Sequence, residues 1–329
     1  MLLRICASVL LVFSLVEYAA AGAPKYQVTV IANPVGYKTV SAVKVNNSGN
    51  FIAGANSGTA IDWFFWSSAS GYQKIAAPEG YSIQSAAGIN DSNEIVLNAT
   101  PGPFVWDPSG AVTIIPISNG YTSPVATGIN AVGAVVGSVK SNITTLSFEW
   151  SPADGFSVLA PSRSTAAVAI NDSAEVAATL LKANTRTDAA RLDPSGRVWP
   201  TGFEPEGGRS VAVAINSSGT LALNYTFTSE PNAAIWSRPH GIMLLPPINS
   251  ETIAIADSGE VLGLSNPGGT LPQGNFIWGK RFGVAMLADQ LNKKVDDLVA
   301  FDMSRSTKII SAFGKVFGNA SALLLVPTN

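Results

Sequence analysis

Four carboxylates are this chain's best candidates for acid–base chemistry: Glu204 and Glu206 in FEPEGGR, Glu230 in TSEPN and Glu251 in NSE. Cleaving a glycosidic bond takes two carboxyl groups about 5–10 Å apart, one to protonate the leaving group and one to attack or to activate water. Arg186, Asp188 and Arg209 lie nearby in sequence and are candidate ligand-binding residues, as is Trp63, whose indole could stack on a sugar ring. The simpler and preferred reading of the carboxylates is ordinary solvated loop charge. His240, in WSRPHG, is the only histidine. It has the right intrinsic pKa for a general base, but it sits in a turn pattern and reads as a solvated turn residue. No transition-metal site is expected from one histidine, and the Asn90-Asp91-Ser92, Asn171-Asp172-Ser173 and Asp257-Ser258-Gly259 clusters lack the alternating spacing and distal Glu of a calcium loop. No cofactor is expected.

Composition narrows the classes. The 329 residues carry 13% charged and 47% hydrophobic side chains with a net charge of −2, against roughly 25% charged in ordinary globular domains. Such a chain folds around a large apolar core. With 20 Lys plus Arg set thinly against 22 Asp plus Glu, no basic stripe exists for nucleic acid.

Residues 1–22 read as a signal peptide: Arg4, the apolar run ICASVLLVFSLV, then small residues in EYAAAGA. The run is short for a membrane span. Its removal also removes Cys6, the only cysteine, so the mature chain, expected to run as a single domain over 23–329, has neither disulfide nor thiolate. A secreted or periplasmic monomer with no membrane span after cleavage is expected.

What positions the candidate residues is an internal repeat. SAVKVNNSGNFIAG (41–54) recurs as SAAGINDSNEIVLN, VATGINAVGAVVGS, AAVAINDSAEVAAT, VAVAINSSGTLALN and TIAIADSGEVLGLS, with a degenerate seventh copy in VAFDMSRSTKIISAFG. The turn position falls at Asn46, Asn90, Asn130, Asn171, Asn216, Ala256 and Ser304, in steps of 44, 40, 41, 45, 40 and 48 residues. Each copy is followed by an aromatic-ended run (FVWDPSG, FEWSPADG), a glycine turn and a short apolar strand that usually ends in proline. Four β-runs, here a to d, therefore fill each unit of about 40 residues, the mark of a propeller blade. The N-terminal YQVTVIANP matches a lone strand d, and the C-terminal NASALLLVPTN a lone strand c. Pairing them closes a ring and removes exposed edges. The expectation is an all-β propeller of seven four-stranded blades (range six to eight), the N-terminal strand completing the last blade. One helix-like stretch, 285–301, stands in the connection before the seventh unit. Trp66, Trp106, Trp150, Trp236 and Trp278 recur in phase and read as inter-blade packing.

The repeats resemble those of bacterial secreted proteins with HAF repeats, whose pattern A-x-x-I-N-x-x-G-x-V-x-G followed by H-A-F-x-W is met by AAGINDSNEIVLN, ATGINAVGAVVGS and AVAINSSGTLALN with their tryptophans. The naming triplet is eroded: DWFFW, GPFVW, DAARL and NAAIW hold no His. The resemblance implies a secreted propeller and supplies no catalytic residues. The leading expectation is thus a non-catalytic module that binds an extracellular polysaccharide or protein partner through b–c and d–a loops, among them NATPGP (98–103). The alternatives are a polysaccharide hydrolase or lyase using the four carboxylates, or a structural envelope or matrix component.

Overall fold

The computed structural model describes residues 22–203, 208–226, 230–246 and 248–328. The expected signal peptide, Gly22 apart, lies outside them. So do Glu204 and Glu206.

The described residues form seven antiparallel sheets of four strands each. Six are consecutive meanders. The seventh takes strands a, b and c from Asp296–Met303, Ile310–Val316 and Asn319–Thr328, and strand d from the N-terminal Lys25–Ile31, in register from Lys25 opposite Thr328 to Ile31 opposite Ala322. The a strands are Thr39–Val45, Ser82–Ile89, Thr122–Ile129, Thr165–Ile170, Arg209–Ile215, Ser250–Ile255 and Asp296–Met303, for blades 1 to 7. Each touches the next around a closed ring, blade 7 returning to blade 1. Because strands alternate in direction, the a–b and c–d turns share one face and the b–c and d–a loops share the other.

The core lies between the blades. Seven clusters of buried side chains each join two neighbours: Trp106 of blade 2, for example, packs with Ile52 and Phe65 of blade 1, and Trp236 of blade 5 with Ala177 and Ala189 of blade 4. The in-phase tryptophans therefore fill inter-blade space, as expected. Blades 4 and 7 use Leu192 and Leu325 at the same register position, opposite the first residue of strand b.

The stretch 285–301 is not helical. Strand d of blade 6 (Gly283–Met286) leads into one 3-10 turn, Leu287–Gln290, and then into extended chain that ends in strand a of blade 7. The segment lies against the outermost strand of blade 7. Leu291 bridges to Tyr26, Asn292 N–H donates to the Tyr26 carbonyl, and the Asn292 side chain accepts the Val28 N–H. Edge coverage thus satisfies backbone groups that a helix would have paired internally, and Leu287 serves the core from the single 3-10 turn.

Candidate functional site

The a–b face is built on the repeated turn residue. In blade 1 the Asn46 Oδ1 accepts the N–H groups of Ser48 and Asn50, and Gly49 at φ +78° closes the hairpin. Its Nδ2 points sideways and donates to the carbonyl of Asn90 in blade 2. The pattern then repeats from Asn90 to Asn130, Asn130 to Asn171, Asn171 to Asn216 and Asn216 to Ala256 at 3.0–3.3 Å. One side chain therefore shapes the turn and latches the next blade, which explains the recurrence of asparagine there. The following position adds a second course: Asp91, Asp172 and Asp257 accept the N–H groups of Asn47, Ala131 and Ser217 from the preceding blade.

Blades 6 and 7 break the pattern, because Ala256 and Ser304 have no amide. There Asp257 N–H donates to the Arg305 carbonyl, and the Ser306 hydroxyl donates to Asp257 Oδ2. Burial would raise the Asp257 carboxyl, but the Ser217 N–H, the Ser306 hydroxyl and Arg305 outweigh it and hold it below the usual carboxylate range. Arg305 then reaches across the axis to blade 4, its Nη2 lying 2.8 Å from Asp172 Oδ1. Its Nη1 is buried without an acceptor.

Beneath this bridge lies a cavity of about 160 Å³. Its walls come from all seven a strands, each carrying a β-bulge at the same place, such as Ala42/Lys44 and Ala300/Asp302. A bulge re-aims side chains, and here two consecutive residues of most a strands line the axis, Ala87 with Gly88 and Val213 with Ala214 among them. The inner ring two places before the turn reads Lys44, Gly88, Gly128, Ala169, Ala214, Ala254 and Asp302. Five small residues create the space. Two neighbours bring opposite charges into it.

The sequence-predicted residues sit on the other face. The segments carrying Glu230 and Glu251 adjoin, since Asn249 N–H donates to Asn232 Oδ1 at 3.0 Å, two places from each glutamate. Glu230 is exposed, whereas Glu251 is half-buried and accepts from Asn266 at 3.4 Å. Arg209 donates to Thr185 Oγ1, joining the b–c loop of blade 4 to blade 5, and Arg186 is exposed beside it. Asp188 is 1% exposed and is engaged by Lys182 at 3.3 Å and Thr201 Oγ1 at 2.8 Å. Trp63 is half-buried against Gly54 and the blade 1–2 cluster. In NATPGP, Asn98 exchanges two hydrogen bonds with the backbone of Ala126 and is an inter-blade latch. His240 is exposed on a c–d turn, with its Nδ1 3.2 Å from Ser237 Oγ. Among the described residues, no group of three or more His, Cys, Asp or Glu is placed to hold a metal ion. The axial Lys44 and Asp302 were missed by sequence reasoning. The signal for them was there: they are charges at a repeat position otherwise filled by glycine or alanine.

No protein-family model matches the chain, and no curated protein sequence matches it significantly. Solved structures do. An oligogalacturonate lyase from Vibrio parahaemolyticus is similar at 8% identity and TM-score 0.61, over 92% of this chain and 97% of that one. A virginiamycin B lyase from Staphylococcus aureus, in a form described as catalytically inactive after replacement of a histidine by alanine, is similar at 10% identity and TM-score 0.57, over 92% and 99%. The extracellular domain of a protein described as a one-component system from B. thetaiotaomicron matches at 10% and 0.58, over 93% of this chain but 40% of that one. The likeness is one of fold.

Proposed function

We propose that this propeller is a non-catalytic binding module that acts outside the cytoplasm and takes a protein partner on its b–c/d–a face. The observation that carries the reading is a set of large apolar residues exposed at loop tips on that face. Val35, Ile143 and Phe317 are 99%, 98% and 95% exposed, and Ile61 and Ile248 stand out beside them. Val35, Ile61 and Phe317 belong to three adjoining loops, the d–a loop from blade 7 into blade 1 and the b–c loops of those two blades. Exposed apolar groups gathered on one face mark interaction surfaces. The a–b turns offer only Val132 of this kind among the described residues. Mostly aliphatic tips suit a protein surface better than a sugar, which is recognised by flat aromatic platforms, and Trp63 is committed to packing.

The arrangement favours binding over catalysis. His240, the only histidine, does not line the axial cavity, whereas the similar virginiamycin B lyase is described as inactive once a histidine is replaced by alanine. Asp188 is spent on Lys182 and Thr201. The leader-like segment 1–22 and the resemblance to HAF-repeat proteins support a secreted or periplasmic location, and no helix among the described residues is long and apolar enough to cross a membrane.

Site-specific photo-crosslinkers at positions 143 and 317, with position 240 as control, test the reading in the producing cell. A discrete adduct with another protein is expected from 143 and 317 and not from 240. Adducts from 240 alone, adducts only with a second copy of this chain, or none at all would overturn it. Incubation with a polysaccharide panel tests the hydrolase or lyase alternative: new reducing ends or unsaturated products, abolished by Glu230→Gln or Glu251→Gln, would replace the binding reading.

A further inference from the structure

The axial cavity on the opposite face carries a second inference, independent of the partner surface. Its inner ring is sevenfold in backbone and fivefold in chemistry: Gly88, Gly128, Ala169, Ala214 and Ala254 are small, while the two members that flank the closing seam are Lys44 and Asp302. These two charges sit on neighbouring strands at the same level, and they do not pair. Asp302 gives one oxygen to the Val45 N–H at 3.2 Å, leaving the other available. The Lys44 side chain has no hydrogen bond or ion pair with any described residue. A lysine lining a narrow cavity beside a carboxylate that it does not pair with has given up part of its hydration without gaining a partner. Above them Arg305 adds a third feature, a buried Nη1 lacking an acceptor.

We infer that the cavity binds a small zwitterion of the amino-acid class. Its carboxylate is taken by Lys44, with Arg305 Nη1 as the second donor, and its ammonium by Asp302. Size agrees with this class. A cavity of about 160 Å³ matches the ~150 Å³ that holds a benzene-sized molecule of six heavy atoms. Glycine, alanine and valine fall around that size. Between the charges and the polar turn residues the wall is made of small residues such as Gly128, Ala169 and Ala214, with Val213 beside them, which leaves room for a short aliphatic side chain. Arg305 doubles as the lid. Its bridge to Asp172 spans the mouth at 2.8 Å, and the two side chains are 25% and 48% exposed, so the bridge is weak enough to open.

Calorimetry and ligand-observed NMR on the full folded chain test this with glycine, L-alanine and L-valine, using acetate, ethylamine and acetamide as half-ligands. At least one amino acid is expected to bind, with each half-ligand at least about tenfold weaker. Lys44→Gln and Asp302→Asn are near-isosteric and lie on the accessible axis, so both should keep the wild-type circular dichroism. Each should weaken the amino acid by about tenfold or more. Arg305→Ala removes the lid and is expected to speed association and dissociation. No amino acid binding at millimolar concentration, half-ligands binding as well as the amino acids, or affinity unchanged in both Lys44→Gln and Asp302→Asn would overturn the inference. If either variant loses the native spectrum, Ala169→Met, three blades from either charge, fills the ring from the far side, and undiminished binding there would overturn it equally.

Discussion

Replacing Asn130 by alanine tests whether the turn asparagine holds the ring together. Asn130 is fully buried and makes three bonds: Oδ1 accepts the N–H groups of Val132 and Ala134, and Nδ2 donates to the Asn171 carbonyl in the next blade. Val132 is exposed, and its N–H can turn to water. Ala134 and Asn171 are buried, so the variant strands one donor and one acceptor away from solvent. Each stranded group costs about 1–3 kcal/mol, and partial relaxation of a surface turn trims the sum. The expected loss is about 3 kcal/mol, an appreciable part of the ~5–15 kcal/mol that usually separates folded from unfolded chains.

Urea unfolding followed by both tryptophan fluorescence and far-ultraviolet circular dichroism measures it, with coincident transitions required before a free energy is extracted. The control is Asn119→Ala, at an exposed asparagine in a d–a loop, which should stay within about 0.5 kcal/mol. A second variant separates the turn from the latch. Asn130→Asp keeps the acceptor for the turn but faces the Asn171 carbonyl with a carboxylate oxygen. It should be at least as damaging as alanine at neutral pH and should recover as pH falls, when the protonated acid can donate again. An Asn130→Ala loss below about 1 kcal/mol, or one no larger than the Asn119 control, would refute the latch.

Other sites give independent tests. Ala174 sits in the a–b turn of blade 4 at φ +56°, where blades 1, 3, 5 and 6 have glycine; Ala174→Gly should gain roughly 0.5–1 kcal/mol in the same assay, and a loss would refute the strain. Gly137→Ala would put a Cβ 2.2 Å from the Val125 carbonyl oxygen and 2.6 Å from the Phe148 ring, a clash no rotamer relieves. It should cost about 3 kcal/mol or more, or abolish soluble expression. The Asp193 carboxyl is held down at about 2, chiefly by the Ser195 hydroxyl and against the effect of burial, with help from the Trp199 indole N–H and backbone N–H groups. Its folded value lies below the unfolded one, so its stabilisation is present above about 3.9 and is lost as pH falls through about 2. The fluorescence difference between wild type and Asp193→Asn should titrate with that lower midpoint, and a midpoint near 4 would contradict the bonds. Arg305→Ala should change stability by no more than about 1 kcal/mol, since its partner Asp172 is half-exposed.

Much of the fold was legible because each blade repeats one set of instructions. Asn at the turn, Trp at the end of strand c, a glycine turn before strand d and Pro after it recur in most units at nearly constant spacing, so weak signals reinforce one another. In DPSG the mechanism is local: Asp107 Oδ1 accepts the Ser109 N–H, and Gly110 takes φ +88°. Closure was legible too, because an unpaired d and an unpaired c at the two ends can only complete each other. The 285–301 stretch misled because leucines at helical spacing also suit a chain that wraps an edge, and Tyr26 and Val28, which decide between these, lie more than 250 residues away.

The axial pair was illegible for a different reason. Strict two-residue alternation in SAVKVNN puts Val43 and Val45 on one face and Lys44 on the other, so the lysine reads as the polar side of an edge. The bulge between Ala42 and Lys44 breaks that parity, and only the backbone shows it. The same bulge in every blade turns position 44 and its equivalents to the axis, where glycine or alanine at five of seven positions becomes a packing requirement and a charge becomes an exception. Carboxylates in loops drew notice because they stood alone between strands, yet Asp188 is buried under Lys182 and Thr201. In a repeat protein the residues that obey the repeat build the ring. Those that break it in its most constrained position, as Lys44 and Asp302 do on either side of the seam, are the ones the scaffold does not require.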